Sequence, residues 1–364
     1  MAIPNWLHLS QVSGSGDTVI TITADTSAEL SERIYNLVVS GHTKSVTVPV
    51  IQSKPNSREY LTFDIKSSGN IRWRNIGGKA NDSPIEYQLN NGSWTEIHSY
   101  DGATIAVASG DVLKFRGDND TYAGSNGGDN TSFSGSTATF EVKGNIMSLF
   151  DSVNYADVTS ITHSYALQNL FAGCTGLTHA FDLVLPATYV SGWGTYEGMF
   201  AGCKSLVDAP ELPLMTMRNF TYSRMFAGCT SLVTPPELPA TTLEVSCYRY
   251  MFADCTALTS TPSVLPASNV SQEAYSYMFR NCTNITSANI AATACGYQSL
   301  YCMFSGCTKL NNVTCMATYL ATSATTRWMS SVSATGTFTK NSSMTSWSTG
   351  INGIPSGWTV LNAT

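Results

Sequence analysis

At 364 residues the chain is too long for a single small core, and two or three structural units are expected. Nineteen basic against 25 acidic side chains give a net charge of -6, which argues against nucleic acid or an anionic membrane as a partner recruited by overall charge. Charged residues make up only 12% of the chain, so Ser, Thr, Asn and Tyr must solvate the surface, as in extracellular and virion fibres; no apolar run reaches the ~18 residues that would span a bilayer.

The first 54 residues read as β. Residues 18–23 alternate apolar and polar side chains, and residues 34–39 and 45–52 form a hairpin about the Ser40-Gly41-His42 turn. Met1-Ala2-Ile3-Pro4-Asn5-Trp6 lacks the basic and apolar regions of a signal peptide, so if Met1 is the natural start the protein is expected to stay in the producing cell or to leave by a route without a signal, such as an assembled particle released by lysis; a secreted protein shorn of its leader reads the same way. Trp6-Leu7-His8-Leu9-Ser10, Gly14-Ser15-Gly16-Asp17, Ile20-Thr21-Ile22-Thr23-Ala24, Glu32-Arg33 and Val48-Pro49-Val50-Ile51-Gln52 together resemble a BACON domain. That family supplies immunoglobulin-like modules to surface proteins of gut Bacteroidota and to crAss-like phages, and it carries further strands ahead of the Trp. Residues 1–54 would then be a partial BACON-like module with an uncovered apolar face and an open edge. Packing on other virion proteins or on symmetry mates is expected, as a homo-oligomer, specifically a trimer. Glycan binding is implied by the family, but no aromatic cluster accompanies it here, and a spacer or docking role stands beside it.

Lys54-Pro55-Asn56-Ser57 reads as a linker. Residues 60–65, 70–74, 85–89, 94–97, 104–107, 112–116 and 139–142 are seven short strands, with Asn90-Asn91-Gly92 as a hairpin turn that needs positive φ. A β-sandwich over 57–150 follows from that spacing. Tyr87-Gln88-Leu89-Asn90-Asn91-Gly92 and Gly144-Asn145-Ile146-Met147-Ser148-Leu149 resemble the middle module that precedes repeats in the same Bacteroidota and phage proteins. Asp118, Asp120 and Asp129 lie in a Gly- and Asn-rich stretch, but their spacing misses the EF-hand pattern, and a solvated loop is the preferred reading.

From residue 158 a repeat takes over. Its anchors are Leu170-Phe171 with Cys174, Met199-Phe200 with Cys203, Met225-Phe226 with Cys229, Met251-Phe252 with Cys255, Met278-Phe279 with Cys282 and Met303-Phe304 with Cys307. The cysteines step by 29, 26, 26, 27 and 25 residues, within the roughly 20 to 29 residues of a leucine-rich repeat. In each unit the apolar residue three after Cys opens a short strand, which closes near Leu185-Pro186, Leu212-Pro213, Leu238-Pro239, Leu265-Pro266 and Ile290, and these strands should stack into one parallel sheet. Tyr-x-x-Met-Phe on the return leg (Tyr196, Tyr222, Tyr248, Tyr275) suits a helical turn with Phe inside. The unit is similar to BspA-like leucine-rich repeats over 158–318. The expected fold is mainly β: immunoglobulin-like β modules, then a leucine-rich-repeat solenoid with a parallel sheet and short helical turns. Residues 319–364, with Trp328, Phe338, Trp347 and Trp358, break the period and read as a C-terminal cap.

Cys174, Cys203, Cys229, Cys255, Cys282 and Cys307, with Phe200, Phe226, Phe252, Phe279 and Phe304, form a structural ladder of buried thiols and rings. Cys247 and Cys302 fall off the ladder and are candidates for local pairing, and no Cys/His spacing suits zinc. His8, His42, His98, His163 and His179 have no nucleophile and orienting acid beside them, so no catalytic residue, metal or cofactor is expected. Trp193, between Gly192 and Gly194, is either an exposed platform for a sugar ring or a local packing residue. Tyr250 and Tyr277 are candidates for outward contact, whereas the repeating tyrosines read as structural. After Glu273 there is no acidic side chain, while Arg280, Lys309, Arg327 and Lys340 remain. That asymmetry reads first as a by-product of Ser/Thr-rich composition, with an anionic glycan or phosphate-bearing surface as the alternative.

The functional expectation is a non-enzymatic phage virion structural protein, a fibre or decoration element on the virion surface. Its solenoid would attach to a host-surface glycan or protein, without nucleic acid and without membrane insertion. The alternative is a Bacteroidota cell-surface adhesin or glycan-binding protein, on the bacterial surface or extracellular.

Overall fold

A computed structural model describes residues 58–76, 82–123, 130–345 and 347–363, and the backbone of four strands before residue 53. Those strands are β1 (Leu7–Leu9), β2 (Ile22–Ala24), β3 (Arg33–Ser40) and β4 (Ser45–Gln52). β1 pairs antiparallel with β2, and β3 pairs antiparallel with β4 so that Arg33 faces Gln52 and Ser40 faces Ser45, the hairpin expected from the sequence. Most of the strand expected over 18–23, the turn after Ser40 and the proposed docking face lie outside the described residues. Contacts divide the chain into Met1–Asn56 and Ser57–Thr364, and the second unit is compact in its own right.

That unit begins with β5 (Leu61–Ile65), β6 (Gly69–Ile76), β7 (Ile85–Leu89), β8 (Trp94–Ile97), β9 (Ala103–Val107), β10 (Val112–Arg116), β11 (Asn130–Ser132) and β12 (Phe140–Asn145). One sheet has the order β8-β7-β10-β5-β12 and a smaller one β9-β6-β11, antiparallel throughout. Period-2 alternation buries Phe63, Ile71, Trp73, Leu113 and Phe115. Between β7 and β8, Asn90 and Asn91 both take positive φ and the Gly92 amide donates to the Leu89 carbonyl at 2.8 Å, a hairpin turn that suits Asn. The sequence anticipates every one of these strands except the short polar β11.

The chain is mainly β, with 28% of residues in strands and almost no helix, and from about residue 160 it winds as a β-solenoid of about eight turns. The solenoid strands are β13 (Ser160–Ile161), β14 (Leu177–His179), β15 (Leu183–Val184), β16 (Tyr189–Val190), β17 (Asn269–Val270) and β18 (Ser287–Ile290). After them come β19 (Ala294–Cys295), β20 (Asn312–Cys315), β21 (Tyr319–Leu320), β22 (Gly336–Lys340) and β23 (Trp358–Asn362). All pair in parallel: β13 with β16, β17-β19-β21, and β18-β20-β22-β23. On one wall isolated bridges join Thr216, Thr242 and Asn269 across the central coils; on the wall that follows each ladder Cys, the single continuous sheet expected from the repeats is interrupted between β14 and β18. Pro210, Pro213, Pro235, Pro236, Pro239 and Pro262 remove the amide donors that would have closed it there.

The return legs are not helical turns, contrary to the reading of Tyr-x-x-Met-Phe. Each is a run of overlapping tight turns with a left-handed residue at every fourth position: Phe220, Arg224, Gly228; Ser246, Tyr250, Asp254; Glu273, Tyr277, Asn281; and Gln298, Cys302, Gly306. Alternate amides close turns within the coil, as Leu170 N–H to the Leu167 carbonyl at 3.3 Å and Ala172 N–H to that of Asn169 at 3.0 Å. The amides between them donate to the following coil: Leu167 to Thr195 and Asn169 to Glu197 at 2.9 Å, Phe171 to Met199 at 2.9 Å, Gly173 to Ala201 at 2.7 Å. An α-helix would direct all these donors along its own axis and leave the coils unconnected on this wall.

Inside the coils the ladder phenylalanines stack: Phe171 on Phe200 at 5.3 Å, Phe200 on Phe226 at 5.5 Å, Phe226 on Phe252 at 5.7 Å, Phe252 on Phe279 at 5.4 Å and Phe279 on Phe304 at 5.7 Å. The column runs on at both ends. Phe133 stacks on Phe171 at 5.6 Å, its amide donates to the Leu170 carbonyl at 2.8 Å, and its carbonyl accepts Cys174 Sγ–H at 3.3 Å. Phe171 makes the same bonds to Met199 and Cys203, so Phe133-Ser134-Gly135-Ser136 stands where a preceding repeat would stand, with Ser136 in place of Cys. β12 accordingly pairs in parallel with β14 and β15, joining the antiparallel sheet to the first coils. At the far end residues 319–364 carry the period on rather than breaking it. β22 and β23 extend the parallel sheet, Trp328 stacks on Trp347 at 5.5 Å, and Trp328 Nε1–H donates to the Gly353 carbonyl at 2.9 Å.

Phe252 is fully buried with a ring on either side. Phe252→Ala is expected to lower unfolding free energy by about 3–5 kcal/mol in urea titrations, because lost transfer energy and the cavity add. A loss under about 1 kcal/mol would show that the ring column does not hold the coils together.

Candidate functional site

Trp193 lies on the outer surface with 52% of its area exposed, and its backbone is held firmly. Its amide donates to Ser164 Oγ at 3.1 Å and its carbonyl accepts the Tyr165 amide at 2.6 Å. The flanking glycines have packing causes: a Cβ on Gly192 would sit 2.3 Å from the His163 carbonyl oxygen, and one on Gly194, at φ +58°, 2.4 Å from the Tyr165 ring. Tyr189 is also exposed, and Arg218, hydrogen-bonded to its hydroxyl, pairs with Glu244 at 2.9 Å. Among the described residues no aromatic ring stacks on Trp193, so its face is open.

Tyr250 and Tyr277 occupy a different row. Arg224, Tyr250, Tyr277, Cys302 and Arg327 each hold the middle left-handed position of successive coils. The Tyr250 and Tyr277 rings stack face to face at 4.3 Å with an interplanar angle of 6°, and Tyr301 meets Tyr277 edge-on at 5.1 Å. The guanidinium groups of Arg224 and Arg249 lie 5.0 and 5.1 Å from the Tyr250 ring, and that of Arg280 lies 6.0 Å from the Tyr277 ring. Burial and hydrogen bonds to Tyr301 and Tyr250 push the Tyr277 phenol above its ordinary range, so it is a neutral donor at physiological pH. The structure therefore brings Tyr250 and Tyr277 together and leaves Trp193 apart from them. Arg224 and Arg249 escaped the sequence reading, although aligning the residue just before each Met, with Trp328 standing in the Met place, would have put Arg224, Tyr250, Tyr277, Cys302 and Arg327 in one column.

All ten cysteines are free and buried, which corrects the local pairing considered for Cys247 and Cys302. Each ladder thiol donates to a ring-bearing residue of the previous coil, as Cys203 to the Phe171 carbonyl at 3.1 Å and Cys282 to that of Phe252 at 3.0 Å. Burial raises every thiol pKa, to about 12 for Cys203, Cys255, Cys307 and Cys315. The thiolate, which is the nucleophile and soft-metal ligand, is suppressed.

Asp118, Asp208, His98 and His179 make bonds within the frame. Asp118 accepts the Ser152 amide at 2.8 Å and its hydroxyl at 3.1 Å, while Asp129 lies outside the described residues. Asp208 accepts the Ala180 amide at 2.9 Å and pairs with His179 Nδ1 at 2.5 Å, linking adjacent coils. His98 sits between Asp82 and Glu96, and the Asp82 hydrogen bond, with the charges of both carboxylates, raises its pKa. Among the described residues no three His, Cys, Asp or Glu side chains gather to hold a metal, and no helix is long and apolar enough to cross a membrane. No family model, curated protein or solved structure matches the chain.

Two measurements check these placements. A thiol reagent such as DTNB should leave the native ladder cysteines unmodified and react with all ten in denaturant; rapid native labelling of Cys229 or Cys255 would contradict the buried ladder. By NMR, His98 should titrate above the ordinary value of about 6.5 and return towards it in Asp82→Asn. The contribution of the His98–Asp82 pair to stability is complete below that ordinary value and disappears as pH rises through the raised one.

Proposed function

We propose that the chain is a non-enzymatic structural protein of a phage virion, a fibre or decoration element whose solenoid attaches to the host surface. In this reading residues 1–54 are a BACON-like module that docks on other virion proteins or on symmetry mates, with a homotrimer as the assembly. The coils are BspA-like leucine-rich repeats that meet a host-cell glycan or surface protein. The observation that carries the reading is Trp193: a large apolar ring, half exposed, on a backbone fixed by the coil before it. An open indole face is suited to the C–H face of a sugar ring, and a fixed backbone lowers the entropy lost on binding. Solenoids generally act as stacked surfaces for partners, which favours attachment over chemistry.

The first test is peptide mass spectrometry on purified particles alongside outer-membrane and secreted fractions of the encoding culture. Stoichiometric recovery in particles is expected; recovery only in bacterial membrane fractions would replace the virion reading with a cell-surface adhesin. For the site, Trp193→Ala should weaken adhesion of the purified protein to host cells about tenfold while leaving the melting temperature unchanged, the loss expected when an exposed aromatic anchor is truncated. Unchanged adhesion would remove Trp193 from the contact surface.

A further inference from the structure

The second row, at the middle left-handed position of the coils, presents a different chemistry. Successive coils place Arg224, Tyr250, Tyr277, Cys302 and Arg327 at one repeat position, and Arg249 and Arg280 flank it. The Tyr250 and Tyr277 rings cover one another, and guanidinium groups approach the same rings. Their faces are thus already occupied, and stacking on a sugar or a base is not what this row offers. What the row offers outward are guanidinium N–H donors, beside phenol hydroxyls that hydrogen-bond one another and can both donate and accept.

The charge balance points the same way. Arg249 pairs with Glu273 at 3.3 Å, and among the described residues no carboxylate pairs with Arg224, Arg280 or Arg327, two of which flank the tyrosines while the third lies two coils on. The other acids nearby are Asp254, engaged by Asn281 at 2.7 Å, and Glu197, which accepts from Gln168 at 3.1 Å and whose carboxyl burial pushes up despite Arg224 and Arg249. Beyond Glu273 no acidic residue follows, so the coils carrying Arg280, Lys309 and Arg327 are uncompensated.

We propose that the row of Arg224, Arg249, Tyr250, Tyr277, Arg280 and Arg327 binds an acidic polysaccharide, a carboxylated or sulfated glycan chain lying along the solenoid axis. Coils about 4.8 Å apart repeat near the length of one sugar unit in an extended chain, and one arginine every one or two coils matches one anionic group per one or two sugars. Guanidinium forks suit carboxylate and sulfate oxygens, and the tyrosine hydroxyls suit ring hydroxyls between them. Nucleic acid fits less well: the whole chain is net negative, and the aromatic faces that would stack on bases are taken.

This inference rests on the attachment reading above, and the test separates the two. Binding of the full chain to alginate, chondroitin sulfate, neutral dextran and single-stranded DNA is measured by calorimetry at about 0.15 M salt, the physiological ionic strength. Alginate or chondroitin sulfate should bind and dextran should not. The doubly substituted Arg224→Gln/Arg280→Gln protein should lose at least about tenfold in affinity with an unchanged melting temperature, since two charge-assisted contacts are removed from an exposed row. Tyr250→Phe/Tyr277→Phe, which keeps the rings and deletes the hydroxyls, should lose a few-fold. Equal binding of dextran, wild-type affinity in the arginine variant, or tighter binding of DNA than of either acidic glycan would overturn the proposal. Adhesion to host cells that survives the arginine substitutions and is not competed by acidic glycan would overturn the row alone and leave the attachment reading standing. Absence of any adhesion, with acidic glycan still bound by the arginine row, would sink the attachment reading instead.

Discussion

The structure depends on one repeated interaction: the backbone amide of the turn wall that reaches out of its own coil to a carbonyl of the next. A hydrogen bond of this kind fixes coil separation at the strand-to-strand distance, so whatever stands at one repeat position must stack on its counterpart. Flat rings fill such a column without voids, and a small thiol beside them can donate to the carbonyl of the ring below, as Cys229 does to Phe200 at 3.2 Å. The spacing from the first left-handed residue to the ladder cysteine is the same in every coil, from Tyr165 to Cys174 as from Gln298 to Cys307. All the variation in repeat length therefore falls on the opposite walls, where loops and prolines absorb it.

Much of this was legible in the residues. The Phe and Cys anchors repeat because they occupy one column, and the alternation of residues 61–65 and 112–116 marks strands with one buried face. The turn wall was not legible as such. Left-handed residues at every fourth position imitate a helical period, and Tyr-x-x-Met-Phe fits either; nothing in Arg224, Tyr250 or Glu273 advertises positive φ. Phe133 was hidden for another reason: with Ser136 in place of Cys, only the ring and Gly135 remain of the motif, inside a segment whose neighbours pair antiparallel. The prolines were visible, but their cost to the parallel sheet in the central coils emerges only when donors are followed coil by coil.

Trp193 and the tyrosine–arginine row show how the frame serves a surface. In both, side chains face outward because the alternate positions are committed inward, and their backbones are bonded to neighbouring coils. The same sequence feature, an aromatic on a coil, yields an open face in one case and a self-stacked pair in the other, depending only on whether the next coil also carries an aromatic there. Proximity between repeats thus decides the chemistry that each row offers to a partner.

The inter-coil amides of the turn wall all point one way, and the two ends of that wall are finished by opposite groups. At the start, carbonyls of Ala166 and Leu170 receive the amides of Tyr122 and Phe133; at the finish, the Arg327 amide is received by the Asn352 carboxamide. Such a stack has the grammar of a zip: every tooth hands on what it received, and only the stops differ. Whole coils are therefore the natural unit of insertion and loss, since removing one rejoins like with like, whereas deleting a few residues within the turn wall would throw every later row out of step. Lineages that share this architecture would be free to change reach and to slide their outward rows past one another in whole-coil steps, without rebuilding either end.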